Sequence, residues 1–391
     1  MFLLRSLDTT PYGNLLEEFD SITRGALSTI LGPPVSDLQW EQAKLPVPMG
    51  GAGLRAALDH APIAYATSYL AAQPLVRSLL GPREEESPAA LPQPLLDSIT
   101  VRQGEEATTE SLEGLPQKMA SRAIDLNNQS MLLNHFKAEG NVREMARMAS
   151  LGLPHAGDWL SVVPCPALGL YLRGPEFLAS LKYRLGVPVF SVEAPCPACQ
   201  QPSDKMGDHA LGCARHGERI SRHNLLRDVL YEAAAAASLG PAREGRYLLP
   251  GTSARPADLL IPRWCGGKDG ALDVTVTSPL AKSNVVGAAS KAGSALDKAF
   301  NRKVQGAAEA CRQQGIMFIP VAAETLGGLH EVAVDQVKQL GAALSRQTGQ
   351  EEGEATRHLF QRLSLHLMRG NAALLVDRSP EFPDPEVDGR E

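Results

Sequence analysis

Four potential metal ligands stand close together in the stretch Cys196-Pro-Ala-Cys199, followed by His209 and Cys213, with the spacing C-x2-C-x9-H-x3-C. Zinc takes four soft or borderline ligands in a tetrahedron, and a C-x2-C turn can point two thiolates at one ion. His209 and Cys213 are four residues apart and could face that ion from one helical turn. The alternative is a loop with incidental cysteines. The pattern favours a CCHC zinc knuckle within 191–217, structural and not catalytic because protein side chains fill all four positions.

Two aspartates interrupt apolar runs farther along the chain. Asp258 stands in Ala-Asp-Leu-Leu-Ile, and Asp273 stands in Ala-Leu-Asp-Val-Thr-Val. A buried carboxylate is costly unless it is paired or binds a metal. Two carboxylates on neighbouring strands can hold Mg²⁺ or Mn²⁺, which would polarise a phosphate and activate a water, with a nearby lysine stabilising the developing charge. The alternative is that each aspartate caps a strand end or pairs with Arg255 or Arg246.

Three further polar residues of this part of the chain need an interpretation. Glu244 is a candidate third carboxylate of the site, or a solvated strand end. His223, beside Arg222, is expected to be a packed or surface histidine. His216 is expected at the surface and is not needed as a metal ligand.

The first half of the chain is predicted to be all-α, because its apolar residues recur at helical spacing. The predicted helices cover 12–31, 54–80, 116–138, 141–151 and 174–185, with a short helix containing Trp40 that Asp37 could cap. Residues 81–94 are rich in Pro, Glu and Ser and are predicted to form a linker. Nothing in 1–190 indicates catalysis, so this region is interpreted as a helical platform.

The pattern changes after the cysteine stretch. A helix is predicted at 218–239, and six further elements complete the order αβββαβα. These are strands at 244–249, 257–262 and 271–277, a helix at 288–313, a strand at 316–321 and a helix at 329–345. One more helix and an acidic, proline-rich tail predicted to be disordered occupy 346–391. The expected fold class is α+β, divided into 1–190, 191–217, 218–345 and 346–391.

Charge is unevenly distributed along the chain. Residues 194–320 contain 16 Lys and Arg against 11 Asp and Glu, a net charge of +5 in a protein whose total is −6. Any phosphate-binding surface should therefore be local to this segment. Six cysteines are too few for a disulfide scaffold, which favours a reducing compartment. The amino terminus lacks a secretory pattern and no apolar run has membrane-spanning length, so an intracellular protein without membrane contact is expected.

The stretch from Cys196 to Lys303 resembles the carboxy-terminal region of non-LTR retrotransposon proteins that carry a restriction-like endonuclease. The similar pieces are CPAC…GDHALGC, RISRHNLLRDVL, RPADLLI, ALDVTVTSP and LDKAFNRKV, and more loosely LPVPMGGAGLR and FLASLKYRLGVP upstream. The resemblance implies a CCHC zinc knuckle followed by a PD-(D/E)xK-type nuclease with a restriction-endonuclease-like αβββαβ core. It implies that Asp258 and Asp273 are the two acidic residues of the motif.

The chain departs from that family pattern in three places. The PD dipeptide is one residue longer, as Pro256-Ala257-Asp258, and Thr275 stands where the motif has its lysine. In many relatives the lysine comes from the following helix, which makes Lys303 the first candidate and Lys298 the second; both could instead be ordinary exposed helix lysines. No [FY]-x-D-D polymerase motif is present, so no reverse transcriptase activity is expected.

The resemblance implies a retroelement-derived DNA endonuclease with Zn²⁺ as structural and Mg²⁺ or Mn²⁺ as catalytic metal. Its expected partner is DNA, with RNA as a second candidate, and nuclear residence would follow. Arg215, Arg219 and Arg222 are candidates for phosphate contacts that position the nucleic acid without reading its sequence. The alternative, favoured by Thr275 and by the net acidity, is a catalytically inactive nucleic-acid-binding or scaffold protein that retains the fold.

Overall fold

The structure, a computed structural model, describes residues 2–80, 90–213, 217–243 and 257–378. The chain divides into two compact units, Met1–Glu139 and Gly140–Glu391. The domain boundary predicted after residue 190 therefore falls inside the second unit. The predicted segments 191–217, 218–345 and 346–391 belong to that same unit, together with the helical stretch that precedes them.

The first unit is helical throughout its described residues. Its helices are α1 (Phe2–Ser6), α2 (Gly13–Leu31), α3 (Asp37–Lys44), α4 (Ala57–Leu80), α5 (Gln93–Gln103), α6 (Thr109–Leu112) and α7 (Gln117–Ala138). Ser36 and Gln39 form a reciprocal capping box that fixes the start of α3. Ile63 of α4, Leu95 and Ile99 of α5, and Ile124 of α7 are almost fully buried in one apolar core. Burial of these side chains is the main stabilising contribution to this unit.

The second unit combines helices with two small sheets. Its elements are α8 (Val142–Leu151), α9 (Gly174–Arg184), β1 (Ala194–Pro195), β2 (Pro202–Ser203), α10 (Asp208–Gly212), α11 (Glu218–Ala236), β3 (Ala242–Arg243), β4 (Leu259–Cys265), β5 (Lys268–Thr277), α12 (Val285–Ser290), α13 (Ser294–Gln313), β6 (Met317–Glu324), α14 (Glu331–Thr348) and α15 (Glu352–Val376). The chain is therefore mixed α+β, as the sequence predicts. The predicted strand at 244–249 lies outside the described residues.

The larger sheet has the strand order β3-β4-β5-β6. Strands β3, β4 and β5 pair antiparallel, whereas β5 and β6 pair parallel, with Asp273 opposite Pro320. Helices α12 and α13 make the crossover that a parallel pair needs, and α13 packs against β5 and β6. Because β5 is covered in this way, its middle section from Gly270 to Thr275 is buried. Asp273 therefore lies in the buried section of a strand that is paired on both edges.

The last helix, α15, organises the interior of the second unit. It packs against α9, α11 and α14 and buries residues on opposite sides, such as Leu363 and Leu365. The close approach to α11 needs a residue without a side chain, because a Cβ on Gly370 would lie 2.6 Å from Cγ of Arg222. The helix α11 is thereby fixed between α15 and the edge of the sheet that holds Asp258.

One buried acid in this unit gives a testable prediction. Glu324, at the end of β6, is fully buried, and neither carboxylate oxygen has a hydrogen-bond partner in the described part of the chain. Burial raises the pKa of Glu324 from 4.5 to about 7, and the nearby Ser150 hydroxyl opposes this shift too weakly to offset it. Because the folded-state pKa is the higher one, ionisation destabilises the fold progressively from about pH 4.5 to about pH 7.

Glu324→Gln should therefore stabilise the protein more at pH 8 than at pH 5. The gain in unfolding free energy should be about 1–3 kcal/mol larger at pH 8. Urea unfolding of the variant and the parent at both pH values measures the difference. Glu193→Gln, at an exposed position, is the control and should show none. An equal effect of Glu324→Gln at both pH values would contradict the buried-acid assignment.

Candidate functional site

The four predicted zinc ligands converge in the structure. The Sγ atoms of Cys196, Cys199 and Cys213 and a ring nitrogen of His209 all lie within 4.8 Å of one another. A tetrahedral site with Zn–S bonds of about 2.3 Å places its ligands about 3.8 Å apart. Cys199 Sγ lies 3.2 Å from His209 Nε2. This cluster of three cysteines and one histidine could hold a metal ion such as zinc.

Local backbone structure explains why these ligands meet. The strands β1 and β2 form a small hairpin that presents Cys196 and Cys199 in its turn, where the Cys196 carbonyl accepts the Gln200 amide at 2.8 Å. The helix α10 then supplies His209 and ends at Cys213. The Asp204 carboxylate accepts the backbone amides of Asp208 and His209 at 3.0 and 2.8 Å, which caps this short helix. The knuckle is therefore built from a hairpin turn and a capped helical turn.

The knuckle is also tied to the rest of the second unit. The Arg143 guanidinium donates to both carboxylate oxygens of Asp208, at 2.6 and 3.0 Å, so α8 anchors α10. Gly207, with φ of +85°, lets α15 approach closely, because a Cβ there would lie 2.6 Å from Leu375 Cδ2. Burial acts to raise the pKa of the Cys196 thiol, but hydrogen bonds from the backbone amides of Cys199 and Ala198 lower it to about 6. A thiol of low pKa is readily available as a thiolate ligand.

The two predicted carboxylates also come together. Asp258 directly precedes β4, and its amide donates to the Leu272 carbonyl at 3.0 Å. Because Leu259 pairs with Leu272, the same register extended by one residue places Asp258 opposite Asp273. Directly opposed residues of antiparallel strands project from the same face of the sheet. The two side chains are close enough to hydrogen-bond with each other, and both are largely buried.

The surroundings move the pKa values of the two carboxyls in opposite directions. Burial acts to raise the pKa of Asp258, but the hydrogen bond and charge of His223 and the Val274 amide together lower it. Burial raises the pKa of Asp273 above its ordinary value, and the neighbouring Asp258 charge adds to this, despite the opposing effect of Lys303. Two acids that cannot both ionise without cost form a site where a cation would be favoured.

Two basic side chains complete this group. Lys303 of α13 places its Nζ 2.7 Å from Asp273 Oδ2, and its side chain is one-third exposed. His223 of α11 places its Nε2 3.0 Å from Asp258 Oδ1. His223 is the residue that sequence reasoning missed, since the expectation was a packed or surface histidine. The position of His223 on a predicted helix does not indicate a contact with Asp258, which lies 35 positions later in the chain.

Asp258, His223 and Lys303 line an open cleft of about 660 Å³ between α11, α13 and the sheet. Asp273 lies behind the cleft wall, in contact with Lys303. Several cations face the cleft: Arg219, Arg222, Arg227, Arg302 and Lys303. Thr275, two positions after Asp273 on the same strand face, is buried in its wall. An array of cations around paired carboxylates suits a polyanion whose phosphate would approach a metal ion.

Other predicted site residues are placed differently. Lys298 donates to the Ser283 carbonyl at 3.0 Å and to Asn284, and it does not line the cleft. Glu244 and Arg215 lie outside the described residues. Arg219 is exposed at the cleft, as a phosphate contact requires.

Arg222 lines the cleft but is only 2% exposed. Its Nη1 donates to Asn371 Oδ1 at 2.9 Å and to the Leu211 carbonyl at 3.4 Å, while its Nε has no partner within the described residues. Burial, with a smaller contribution from Arg219, lowers the pKa of Arg222 to about 10. Arg219 donates to the carbonyl of Gly212 at 3.4 Å. Backbone carbonyls of the knuckle thus support two arginines of the cleft.

No helix in the described ranges 2–80, 90–213, 217–243 and 257–378 is both long and apolar enough to cross a membrane. Comparison with protein-family models gives no match for this chain, and comparison with curated proteins gives none either.

Proposed function

We propose that the second unit is a metal-dependent DNA endonuclease derived from a retroelement. Asp258 and Asp273 would hold Mg²⁺ or Mn²⁺, and Lys303 would assist. The single observation that carries this proposal is the convergence of two largely buried carboxylates and a lysine amine beside one cation-lined cleft. If Lys303 only formed a structural ion pair, Asp273 alone would suffice as its partner. The second acid, Asp258, would then add only charge repulsion.

The chemistry follows from the side chains present. A divalent cation bound between the two carboxylates would lower the pKa of a water molecule and polarise a phosphoryl oxygen. Asp258 and Asp273 supply the hard oxygen ligands that such an ion prefers. Lys303 holds a positive charge beside Asp273, where charge would develop on a phosphodiester under attack by water. The arginines of the cleft would hold the flanking phosphates in place.

The order of elements supports the same proposal. A helix, three antiparallel strands and a helical crossover to a parallel strand follow one another in the order αβββαβ, which is the order expected of a restriction-endonuclease-like core, with Asp258 directly before the second strand and Asp273 in the third. Thr275 departs from the PD-(D/E)xK pattern. Lys303 offers the missing charge from α13, the helix after the third strand, as in many relatives of the proposed family.

The partner proposed is DNA, with RNA as a second candidate, and a DNA substrate would imply nuclear residence. The zinc knuckle would act as a structural element beside the cleft, since all four ligand positions are filled by protein.

The second candidate function is nucleic-acid binding without cleavage. The observation that favours it is that four cations besides the buried Arg222 line the cleft, and these could bind phosphates whether or not the carboxylates catalyse.

Lys303→Ala should lower Mg²⁺-dependent nicking of supercoiled plasmid about a hundredfold, because removing one preorganised charge that stabilises a transition state has an effect of this order. The matched control is Lys298→Ala on the same helix, which contacts Ser283 and Asn284 away from the cleft. Binding of a labelled duplex, measured by fluorescence anisotropy, should change only a few-fold in either variant. Metal-dependent nicking that is equal in both variants would contradict the role of Lys303, and DNA binding without any nicking by the parent would favour the second candidate.

A further inference from the structure

The side chain of His223 reaches from one element of the cleft to another. It projects from α11 and places Nε2 3.0 Å from Oδ1 of Asp258, the distance of a hydrogen bond in which the imidazole donates. About a quarter of the His223 side chain is exposed, and it lines the cleft. The contact therefore lies at the site, not in the interior of the unit.

The helix does not depend on this contact for its packing. The buried face of α11 consists of Arg222, Leu226, Val229, Leu230, Ala233 and Ala234, which pack mainly towards α15 and α14. His223 lies beside that face and is only partly buried. Loss of its side chain should therefore leave the helix in place, which separates a role in the site from a role in stability.

The Asp258 carboxylate is held from two directions. Its Oδ2 accepts the backbone amide of Val274 at 2.7 Å, and its Oδ1 faces His223. One donor comes from the neighbouring strand and the other from a helix, so together they fix the plane of the carboxylate. Each oxygen keeps a second lone pair, since an ionised carboxyl offers about four acceptor positions. The group is oriented without being saturated.

We propose that His223 is a positioning residue for metal binding, which fixes Asp258 in the orientation that a divalent ion requires. This inference rests on the proposed function, since it takes Asp258 to be a metal ligand. Donors that orient a ligating carboxylate commonly change metal affinity by 10–100-fold when they are removed. Asp273 has its own partner in Lys303, so each acid of the pair is oriented by one side chain from a different helix.

Mn²⁺ binding to the zinc-loaded full-length chain tests the proposal without relying on catalysis. The electron paramagnetic resonance signal of free Mn²⁺ disappears on binding and gives the dissociation constant. His223→Ala should weaken Mn²⁺ binding about 10–100-fold. The Mg²⁺ concentration for half-maximal nicking should rise by a similar factor, whereas the rate at saturating Mg²⁺ should change much less. His223→Gln, whose amide nitrogen can occupy a position close to Nε2, should restore most of the affinity.

Three further measurements complete the design. His358→Ala, at an exposed position of α15, is the control and should bind Mn²⁺ like the parent. Thermal unfolding should show that His223→Ala keeps the parent's midpoint within a few degrees. If the parent does not bind Mn²⁺, or if Asp273→Ala binds it as tightly as the parent does, the proposed metal site itself is wrong. Parent-like affinity in His223→Ala, or no recovery in His223→Gln, would overturn the positioning role alone.

Discussion

Asp273→Asn is expected to reduce Mg²⁺-dependent nicking on the order of a thousandfold, or about 4 kcal/mol in activation free energy, while the protein remains folded. The loss follows because an amide cannot replace a charged oxygen ligand of a divalent ion. Asp273 also contacts both other members of the site, Asp258 across the strands and Lys303 from α13.

The same substitution should not destabilise the protein at neutral pH, and this contrast is diagnostic. The pKa of Asp273 is raised, above all by burial, so its ionised form is disfavoured by the fold. A carboxyl with a raised folded-state pKa destabilises the folded state once the pH exceeds its unfolded value of 3.8. Removing that charge should leave the unfolding free energy at pH 7 unchanged or slightly increased. Loss of activity with retained stability is the signature of a site maintained for function.

Asp335→Ala is the control for the activity measurement, because Asp335 is exposed on α14 in the same unit. Nicking of supercoiled plasmid should be followed with Mg²⁺, with Mn²⁺ and with EDTA for the parent and both variants. Activity that persists in EDTA, or that is equal in Asp273→Asn and the parent, would contradict the catalytic assignment. A marked fall in the thermal midpoint of Asp273→Asn would instead indicate that the acid has a structural role.

Short sequence distances made the knuckle predictable. Its four ligands span 18 positions, so a hairpin turn and one helical turn are enough to bring them together. The aspartates were predictable for another reason, since a carboxylate inside an apolar run must have a partner or a ligand. The cross-strand alignment of Asp258 with Asp273 follows from the hairpin that joins β4 and β5.

The choice between the two candidate lysines needed the structure. Lys298 and Lys303 are five positions apart, which is about 500° around a helix, so their side chains point about 140° away from each other. The sequence shows that both cannot face one site, but the rotation of α13 about its axis depends on how it packs against β5 and β6. The contact between His223 and Asp258 could not be predicted for the same reason, since it depends on the tertiary packing of α11.

Cys196→Ser should lower the zinc content of the purified protein from about one ion per chain to none, measured by elemental analysis. A serine hydroxyl is a poor substitute for thiolate, and Cys196 is the most buried ligand of the cluster. Zinc binding and folding of a small knuckle are coupled, with apparent binding free energies of about 10–16 kcal/mol in zinc-finger peptides. The hairpin of β1 and β2, with two residues in each strand, has little else to hold it.

The effect should extend to the cleft, because the carbonyls of Leu211 and Gly212 lie between His209 and Cys213 and accept from Arg222 and Arg219. Disorder of the knuckle would release both contacts, so duplex affinity should fall several-fold at low salt, with a shallower salt dependence. Cys165→Ser is the control, since Cys165 is outside the cluster and should leave zinc content and affinity unchanged. A full zinc equivalent in Cys196→Ser would disprove the ligand assignment. Zinc loss without any change in duplex affinity would instead show that the two arginines hold their positions independently of the metal.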